Sequence, residues 1–362
     1  MNITIVSPIY PPEIGGPASY VPTLAEKLYK NNKARVVTFC KQTPTSSSFP
    51  LVHIKTSGSS LSRQVRFFLL LFKNVGNSQV IYAQGTIAVG LVSLVVAKLK
   101  RKALVIKFVG DEIWESYRST SKNSSSLEEF YTSKKPRGLL VNIHKFVLNH
   151  ADAVVTPSIY LKNFLVKIHK VDSKKIHQIN NPVEIKAISI QRKESQYIYV
   201  GRLVPWKNVD KVLISFAQVV KKQPLASLII VGSGPEEKNL KKLARSLEVK
   251  PKVKFLGKLS KAETLKCIAS SEILVLLSDY EGQSHTIIEA MCLGTKVVAS
   301  NITPNRELLK KRGRLTDLKA TSITEAMLHP KKISETVIKE VKAEHFWSTH
   351  IAKLEKVFSC IS

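Results

Sequence analysis

The sequence has few acidic residues for its length. Its 362 residues contain 27 Asp and Glu against 56 Lys and Arg, a formal net charge of +29 at pH 7. Residues 1–184 carry 25 basic and 10 acidic residues and residues 185–362 carry 31 and 17, so both halves are basic. Nucleic-acid binders more often concentrate charge in a tail or stripe with interleaved aromatics, which make up only 7% here. We therefore expect no nucleic acid, and instead anionic small molecules or an anionic membrane surface.

Cysteine is also scarce. The four cysteines, Cys40, Cys267, Cys292 and Cys360, lie far apart and form no Cys-x-x-Cys or Cys/His pair. Free thiols in a reducing compartment are the expected state, with neither disulfides nor zinc indicated.

The sequence also predicts neither a membrane-spanning run nor a targeting segment. The uncharged run 85–97 is much too short to cross a bilayer and predicts a buried helix. The chain begins directly with a strand, so no signal peptide is expected. A second apolar helix, residues 61–75, has basic ends and could either pack in the core or face a membrane interface. We expect a cytoplasmic protein, with peripheral contact at the inner face of the cell membrane left open.

The sequence does contain a repeated alternation of apolar strands and helices. Its length and rhythm predict an α/β fold of two Rossmann-like doubly wound domains facing a cleft. The first domain is predicted at residues 1–183, with a C-terminal helix at about 343–362 packing back on it, and the second at 184–342. The polar segment 116–137 interrupts the rhythm and is predicted to be a mobile excursion.

Two acids follow a strand of the second domain. The run 271–277 reads as a buried parallel strand, and Gly294 ends the helix that follows it. Glu281 then lies in the strand-to-helix turn and Glu289 inside the helix. Ligands bind at the carboxyl ends of parallel strands, so both acids could flank one ligand. The spacing alone equally fits an ordinary turn acid and helix acid.

Cations and glycines follow the other strands of this domain. Arg202 and Lys207 come after a strand at 197–200 and suit a diphosphate, while Gly232 and Gly257 would let a ligand approach the backbone closely. A carboxylate near an anomeric carbon and cations on a departing diphosphate are what glycosyl transfer requires. No Asp-x-Asp is present to hold a metal.

At these residues the chain resembles the GT-B glycosyltransferases of family 4. The segment 201–207, Gly-Arg-Leu-Val-Pro-Trp-Lys, is similar to the family's GRL-x-x-x-K element, and Glu281 to Glu289 is similar to its E-x7-E element. The Gly15-Gly16 loop and the strand at 151–154 also match.

The resemblance implies a retaining transferase that moves a sugar, expected to be a hexose, from a nucleotide-diphosphate sugar without metal or other cofactor. The acceptor would be a sugar or a lipid-linked precursor of a cell-envelope polysaccharide or glycoconjugate. The implied roles are diphosphate binding by Arg202 and Lys207, with the Gly16 backbone near it, and ribose binding by Glu289. Glu281 would contact the donor sugar, and the backbone N–H groups of Gly282, Gln283 and Ser284 would bond to its hydroxyls. Gly232 and Gly257 are further donor-binding candidates from their places at strand ends.

Some positions depart from the family pattern. Gln283 and Ser284 stand where Phe-Gly is frequent, so the sugar preference cannot be transferred. A turn at 109–111 replaces a frequent histidine, which leaves Asp111 and Trp114 as acceptor-side candidates. A sugar-nucleotide epimerase of the same architecture and a non-catalytic binder of an anionic polymer are the alternative hypotheses.

Overall fold

The computed structural model of the chain describes residues 1–13, 15–31, 33–44, 47–120, 125–134, 136–185, 188 and 191–361. Positions 121–124 and 135 of the predicted excursion and four positions of the polar stretch after 184 lie outside the described residues. The strands are β1 (Asn2–Ser7), β2 (Lys33–Cys40), β3 (Leu51–Lys55), β4 (Val80–Gln84), β5 (Ala103–Lys107), β6 (Ala153–Thr156), β7 (Ile176–Gln178), β8 (Lys193–Val200), β9 (Ser227–Val231), β10 (Val253–Gly257), β11 (Ser271–Leu276), β12 (Lys296–Ser300) and β13 (Arg314–Thr316).

Helices separate most of these strands. They are α1 (Gly16–Asn31), α2 (Ser60–Asn74), α3 (Gly90–Lys100), α4 (Glu112–Thr120), α5 (Leu127–Thr132), α6 (Leu139–His150), α7 (Ile159–Lys167), α8 (Val209–Lys222), α9 (Glu237–Ser246), α10 (Lys261–Ser270), α11 (His285–Cys292), α12 (Thr303–Leu309), α13 (Ala320–Leu328), α14 (Glu335–Glu344) and α15 (Trp347–Ile361). None of the helices in the described ranges is long and apolar enough to span a membrane.

The strands form two all-parallel sheets. The first has seven strands in the order β3-β2-β1-β4-β5-β6-β7, and the second has six in the order β10-β9-β8-β11-β12-β13. Their central strands are short runs of branched apolar residues that are fully buried, such as Ile3, Ile5 and Val6 in β1 and Leu274 and Val275 in β11. Burial of both faces by helices explains why these strands show no polar alternation.

Contacts divide the chain into two compact units. The first contains Met1–Trp114, Glu128–Ile179 and His350–Ser362, and the second contains Glu115–Leu127 and Asn180–Thr349. The chain therefore enters the second unit twice, at Glu115–Leu127 and again after Ile179. The domain bounds of 1–183 and 184–342 stay predictions. The last helix, α15, joins the first unit through contacts such as the 2.7 Å hydrogen bond between His350 Nε2 and the Tyr20 hydroxyl.

The structure contains two strands that were not predicted from the sequence, and it corrects the prediction for residues 116–137. Strands β3 and β13 both lie at a sheet edge, held by pairing with β2 and β12. The predicted excursion contains most of α4 and all of α5. Leu127 and Phe130 are buried and anchor α5. Their burial stabilises this helix although the segment around it is mostly polar.

Candidate active site

Glu281 lies where the sequence predicted it, between a strand and a helix. Strand β11 ends at Leu276 and α11 begins at His285. The Ser284 side chain caps this helix by accepting a hydrogen bond from the Ile287 backbone N–H at 3.3 Å. Gly294 follows the helix at φ +74°, the left-handed conformation in which glycine commonly ends a helix. Local capping therefore fixes both ends of the element that carries the two acids.

The Glu281 carboxylate is held by a lysine and a serine. Its Oε1 atom accepts hydrogen bonds from Lys207 Nζ at 2.5 Å and from Ser278 Oγ at 2.6 Å. The side chains of Lys207 and Glu281 are only 14% and 12% exposed. A charge-assisted bond that is largely withdrawn from water is stronger and better oriented than a surface ion pair. The carboxylate therefore has a fixed position and a fixed counter-charge.

The backbone explains how Lys207 reaches this position. A turn of 3-10 helix, Pro205–Lys207, ends at Asn208, which has the left-handed φ of +50°. The Asn208 side-chain amide donates to the Leu277 carbonyl at 2.8 Å and to Asp279 Oδ1 at 2.6 Å. The Asp279 N–H in turn donates to the carbonyl of buried Trp206 at 2.8 Å. Two loops that are about 70 residues apart in sequence are thus joined at the ends of β8 and β11.

Arg202 is not part of this pair. Its guanidinium is 61% exposed and donates to Glu115 Oε2 at 2.9 Å, a residue that belongs to the same unit. Such an exposed pair contributes only about 0–1 kcal/mol, so a ligand could displace it at little cost. An anionic ligand could therefore replace Glu115 as the partner of Arg202. The diphosphate-binding role of Arg202 stays a prediction.

Gly232 lies in direct backbone contact with a neighbouring strand end. Its φ is +131°, and a Cβ at this position would lie 1.9 Å from the Gly201 carbonyl oxygen. Its N–H donates to the Gly257 carbonyl at 2.7 Å. Gly257 also has positive φ, +64°, but a Cβ there would meet nothing within 4 Å. The ends of β8, β9 and β10 are therefore lined by main chain, with Gly232 under the tighter constraint.

Glu289 is the most deeply buried acid of the proposed site. It is 3% exposed in α11, and its carboxylate pairs with the exposed ammonium of Lys261. Burial raises the pKa of Glu289 above its ordinary value, and the Lys261 charge offsets this only in part. An ionised carboxylate held in this place costs folding free energy, which is more typical of a ligand-binding group than of a packing residue.

We expect Glu289→Gln to gain stability relative to the wild type as the pH rises above 4.5, the ordinary value for a glutamate. A group whose pKa is raised by folding loses its stabilising contribution as pH rises through the folded-state pKa, and glutamine has no such loss. The measurement is the free energy of unfolding of both proteins in urea at pH 4 and pH 7.

Exposed Glu325, paired with Lys222, provides the control because its pKa is lowered, first by its hydrogen bond to Lys222. Glu325→Gln should therefore show no relative gain at pH 7. A relative loss in Glu289→Gln over the same interval would contradict the assignment.

The side chains of Gln283 and Ser284 are used within the protein. The Gln283 carbonyl accepts from the Asn181 backbone N–H at 2.7 Å, and its amide nitrogen donates to Asn180 Oδ1 at 3.2 Å. Ser284 caps α11. Any donor contact from Gly282, Gln283 or Ser284 would therefore come from the backbone. The resemblance implies backbone contacts of this kind, and they stay a prediction.

The predicted residues of the first unit are placed separately. Gly16 is the first residue of α1, where a Cβ would meet nothing within 4 Å. Asp111 and Trp114 are both fully buried, and the Trp114 backbone N–H donates to Asp111 Oδ1 at 2.8 Å. In this structure neither side chain presents surface to an acceptor, and their acceptor-side role stays a prediction.

Four side chains of the site were not identified from the sequence. Asn208 directly follows the segment that resembles the family element, and Lys261 is the first residue of α10, after the strand that ends at Gly257. Both therefore lie close in sequence to predicted site residues, Lys207 and Gly257. Ser278 and Asp279 belong to the turn that carries Glu281, where nothing local distinguishes them from ordinary turn residues.

Comparison with known proteins gives a consistent result. Residues 180–333 match the family described as glycosyl transferases group 1. The alpha-monoglucosyldiacylglycerol synthase of Streptococcus pneumoniae is 23% identical over 322 residues, which cover 83% of this chain and 71% of that protein. Further curated relatives match over shorter stretches, spanning 27% to 46% of their own length.

Two solved structures show the same fold along nearly the whole chain. HepE of Anabaena, in complex with UDP and glucose, has a TM-score of 0.76 at 16% identity, and the match covers 99% of this chain and 100% of that one. Sucrose-phosphate synthase of Thermosynechococcus elongatus has a TM-score of 0.78 at 17% identity, with 99% and 98% covered. The predicted fold and the predicted resemblance are thereby confirmed: the chain has the GT-B fold, with two Rossmann-like domains built on parallel sheets, and its residues 180–333 match the group 1 glycosyltransferases.

Proposed function

We propose that the protein transfers a hexose, with retention of anomeric configuration, from a nucleotide-diphosphate sugar to a lipid-linked or polysaccharide-precursor acceptor. The observation that carries this proposal is the Lys207–Glu281 pair at the carboxyl ends of β8 and β11. A fixed cation beside a fixed carboxylate suits a reaction in which a diphosphate departs as the sugar carbon becomes positive.

The chemistry follows from these charges. As the bond between the anomeric carbon and the diphosphate breaks, its electron pair remains on the phosphate oxygen, where Lys207 and Arg202 stabilise the negative charge. The acceptor hydroxyl oxygen bonds to the same face of the carbon, and its proton passes to the departing phosphate oxygen. Glu281 holds the sugar and its negative charge favours the oxocarbenium-like transition state. Glu289 binds the ribose hydroxyls.

The test is donor turnover by the purified protein. Separate incubations with UDP-, GDP- and ADP-sugars should release nucleoside diphosphate from one class of donor. The anomeric proton coupling in the product should match that of the donor. Release of an isomerised sugar would favour the epimerase, and no turnover of any donor would contradict the transferase.

We further propose that the first domain binds an anionic membrane surface, where a lipid-linked acceptor would lie. A relative named as an alpha-monoglucosyldiacylglycerol synthase supports an acceptor of this class. Helices α2, α3 and α6 pack side by side, α2 against α3 and α3 against α6. Together they present nine exposed large apolar side chains: Leu61, Val65, Leu69, Phe72, Val95, Leu99, Leu139, Leu140 and Phe146.

The charge of this three-helix face matches an anionic bilayer. The helices contain no Asp or Glu, and the whole chain has none between Glu26 and Asp111. Basic residues lie among the apolar ones, and Lys100 Nζ sits 3.7 Å from the centre of the Phe72 ring. Exposed apolar side chains interspersed with cations are typical of surfaces that bind the membrane interface.

Vesicle flotation tests this surface. The wild type should float with vesicles that contain anionic lipid and not with neutral ones. Leu61→Glu/Leu69→Glu should abolish flotation, because both side chains are exposed on the outer side of α2. Leu225→Glu is the matched control, since Leu225 is 92% exposed in the second unit. Flotation that is independent of anionic lipid, or unchanged in the double variant, would contradict the proposal.

A further inference from the structure

Three buried side chains of the first domain form a cluster to which the steps of the proposed transfer assign no role. Asp111 lies between β5 and α4, His144 lies on α6, and His169 follows α7. Their exposed fractions are 0%, 1% and 3%. Three distant chain segments thus bring one carboxylate and two imidazoles together in the interior of one domain.

The distances between these groups are longer than those of ordinary hydrogen bonds. Asp111 Oδ2 lies 3.5 Å from His144 Nε2 and 3.7 Å from His169 Nε2, and the three atoms all lie within 4.8 Å of one another. Hydrogen bonds of this type have lengths of about 2.7–3.2 Å. Ligands around a tetrahedral ion with bonds of about 2.0–2.1 Å lie roughly 3.3–3.4 Å apart. The two measured distances are closer to the second arrangement.

Both imidazoles also direct an unsatisfied atom into the cluster. Among the residues that the structure describes, the Nε2 atoms of His144 and His169 are buried without a hydrogen-bond partner. Buried polar atoms are nearly always paired, so two orphans beside one carboxylate oxygen require an explanation. A shared cation would satisfy both.

The surrounding hydrogen bonds hold the groups in a ligand-like orientation. His144 Nδ1 is hydrogen-bonded to Thr86 Oγ1 at 2.7 Å, which leaves Nε2 for the interior. Asp111 is fixed by the Trp114 N–H through Oδ1 and by the Tyr131 hydroxyl through Oδ2 at 2.9 Å. Partners of this kind are characteristic of metal-binding histidines and carboxylates.

We propose that Asp111, His144 and His169 bind one divalent transition-metal ion, with Zn²⁺ as the best match to a donor set of two imidazoles and one carboxylate. The fourth position falls to the Tyr131 hydroxyl or to a water molecule. The ion links the β5–α4 turn to α6 and α7, so its role is to stabilise the first domain. The proposed donor residues belong to the second domain, and sugar transfer requires no metal under this proposal.

Short-range spacings in the sequence do not reveal this metal site. The ligands are 33 and 25 residues apart, and only the topology of the first sheet brings them together.

The direct test is the metal content of the wild-type protein, prepared without a histidine tag. After dialysis against Zn²⁺ and then metal-free buffer, we expect about one zinc per chain by elemental analysis. Removal by a chelator should lower Tm, and added Zn²⁺ should restore it. Folded protein that retains less than about a tenth of an equivalent would overturn the proposal.

Variants locate the ion. His144→Gln and Asp111→Asn should each lower zinc affinity at least about tenfold, and Thr86→Ala about 10–100-fold through the lost support of His144. His150→Gln on the same helix is the control, because His150 is exposed. Zinc bound equally by all four variants would overturn the site. If a ligand variant does not fold, the chelation and reconstitution of the wild type still decide the question.

Discussion

Replacement of Lys207 by methionine is expected to lower kcat for sugar transfer by about 10²–10³-fold, the usual loss when one electrostatic donor is removed from a transition state. Methionine keeps most of the length of the side chain but removes the ammonium group, which donates to Glu281 at 2.5 Å and would stabilise the departing diphosphate. Glu281→Gln should cause a comparable loss. Steady-state kinetics with the donor identified by turnover provide the measurement.

Stability must be measured beside activity, because the pair is largely buried. Removing one partner of such a pair can cost up to about 3–5 kcal/mol, since the other charge is left uncompensated. The double variant Lys207→Met/Glu281→Gln should recover most of that stability but none of the activity. Lys222→Met, which removes a lysine from an exposed pair, is the control for charge. A Lys207→Met enzyme with wild-type kcat/KM would refute the assigned role.

Gly232→Ala is expected to lower the free energy of unfolding by more than about 4 kcal/mol, which places it among the most damaging substitutions. The added Cβ would lie 1.9 Å from the Gly201 carbonyl oxygen, and both atoms belong to rigid strand ends. Urea denaturation of soluble protein, or its absence from the soluble fraction, provides the measurement.

Gly257→Ala separates steric overlap from backbone conformation. Gly257 also has positive φ but has open space at the Cβ position, so the cost should be only about 1–2 kcal/mol. Equal losses in the two variants would show that the overlap at Gly232 is relieved by a small backbone shift.

The parts of the fold that could be predicted are those encoded by neighbouring residues. The apolar run of β11, the Ser284 cap and the terminal Gly294 are local features, and they placed Glu281 and Glu289 correctly in turn and helix. The joint position of Lys207 and Glu281 could be predicted only as a shared sheet edge. Their direct bond depends on Asn208 bridging two loops, a contact that no local pattern contains.

The features that could not be predicted depend on distant partners. Strand β3 forms by pairing with β2. Its own apolar and polar residues do not alternate clearly enough to predict a strand. Nothing in the sequence near Gln283 shows that its side chain hydrogen-bonds to Asn180 and to the backbone of Asn181. The cluster around Asp111 is of the same kind, since His144 comes from α6 and His169 from the turn after α7.

The main-chain contacts at the ends of β8, β9 and β10 have an evolutionary consequence. Where Gly201, Gly232 and Gly257 approach one another, the surface offered to a ligand is made of peptide groups, which are identical in every protein. Side chains around this surface can change without altering its shape, provided that no side chain appears at Gly232 or Gly234, where a Cβ would lie 1.9 Å and 2.3 Å from a backbone oxygen. A ligand site built in this way can survive very low sequence identity, and a mutational library of the region should be least tolerant of change at these two glycines.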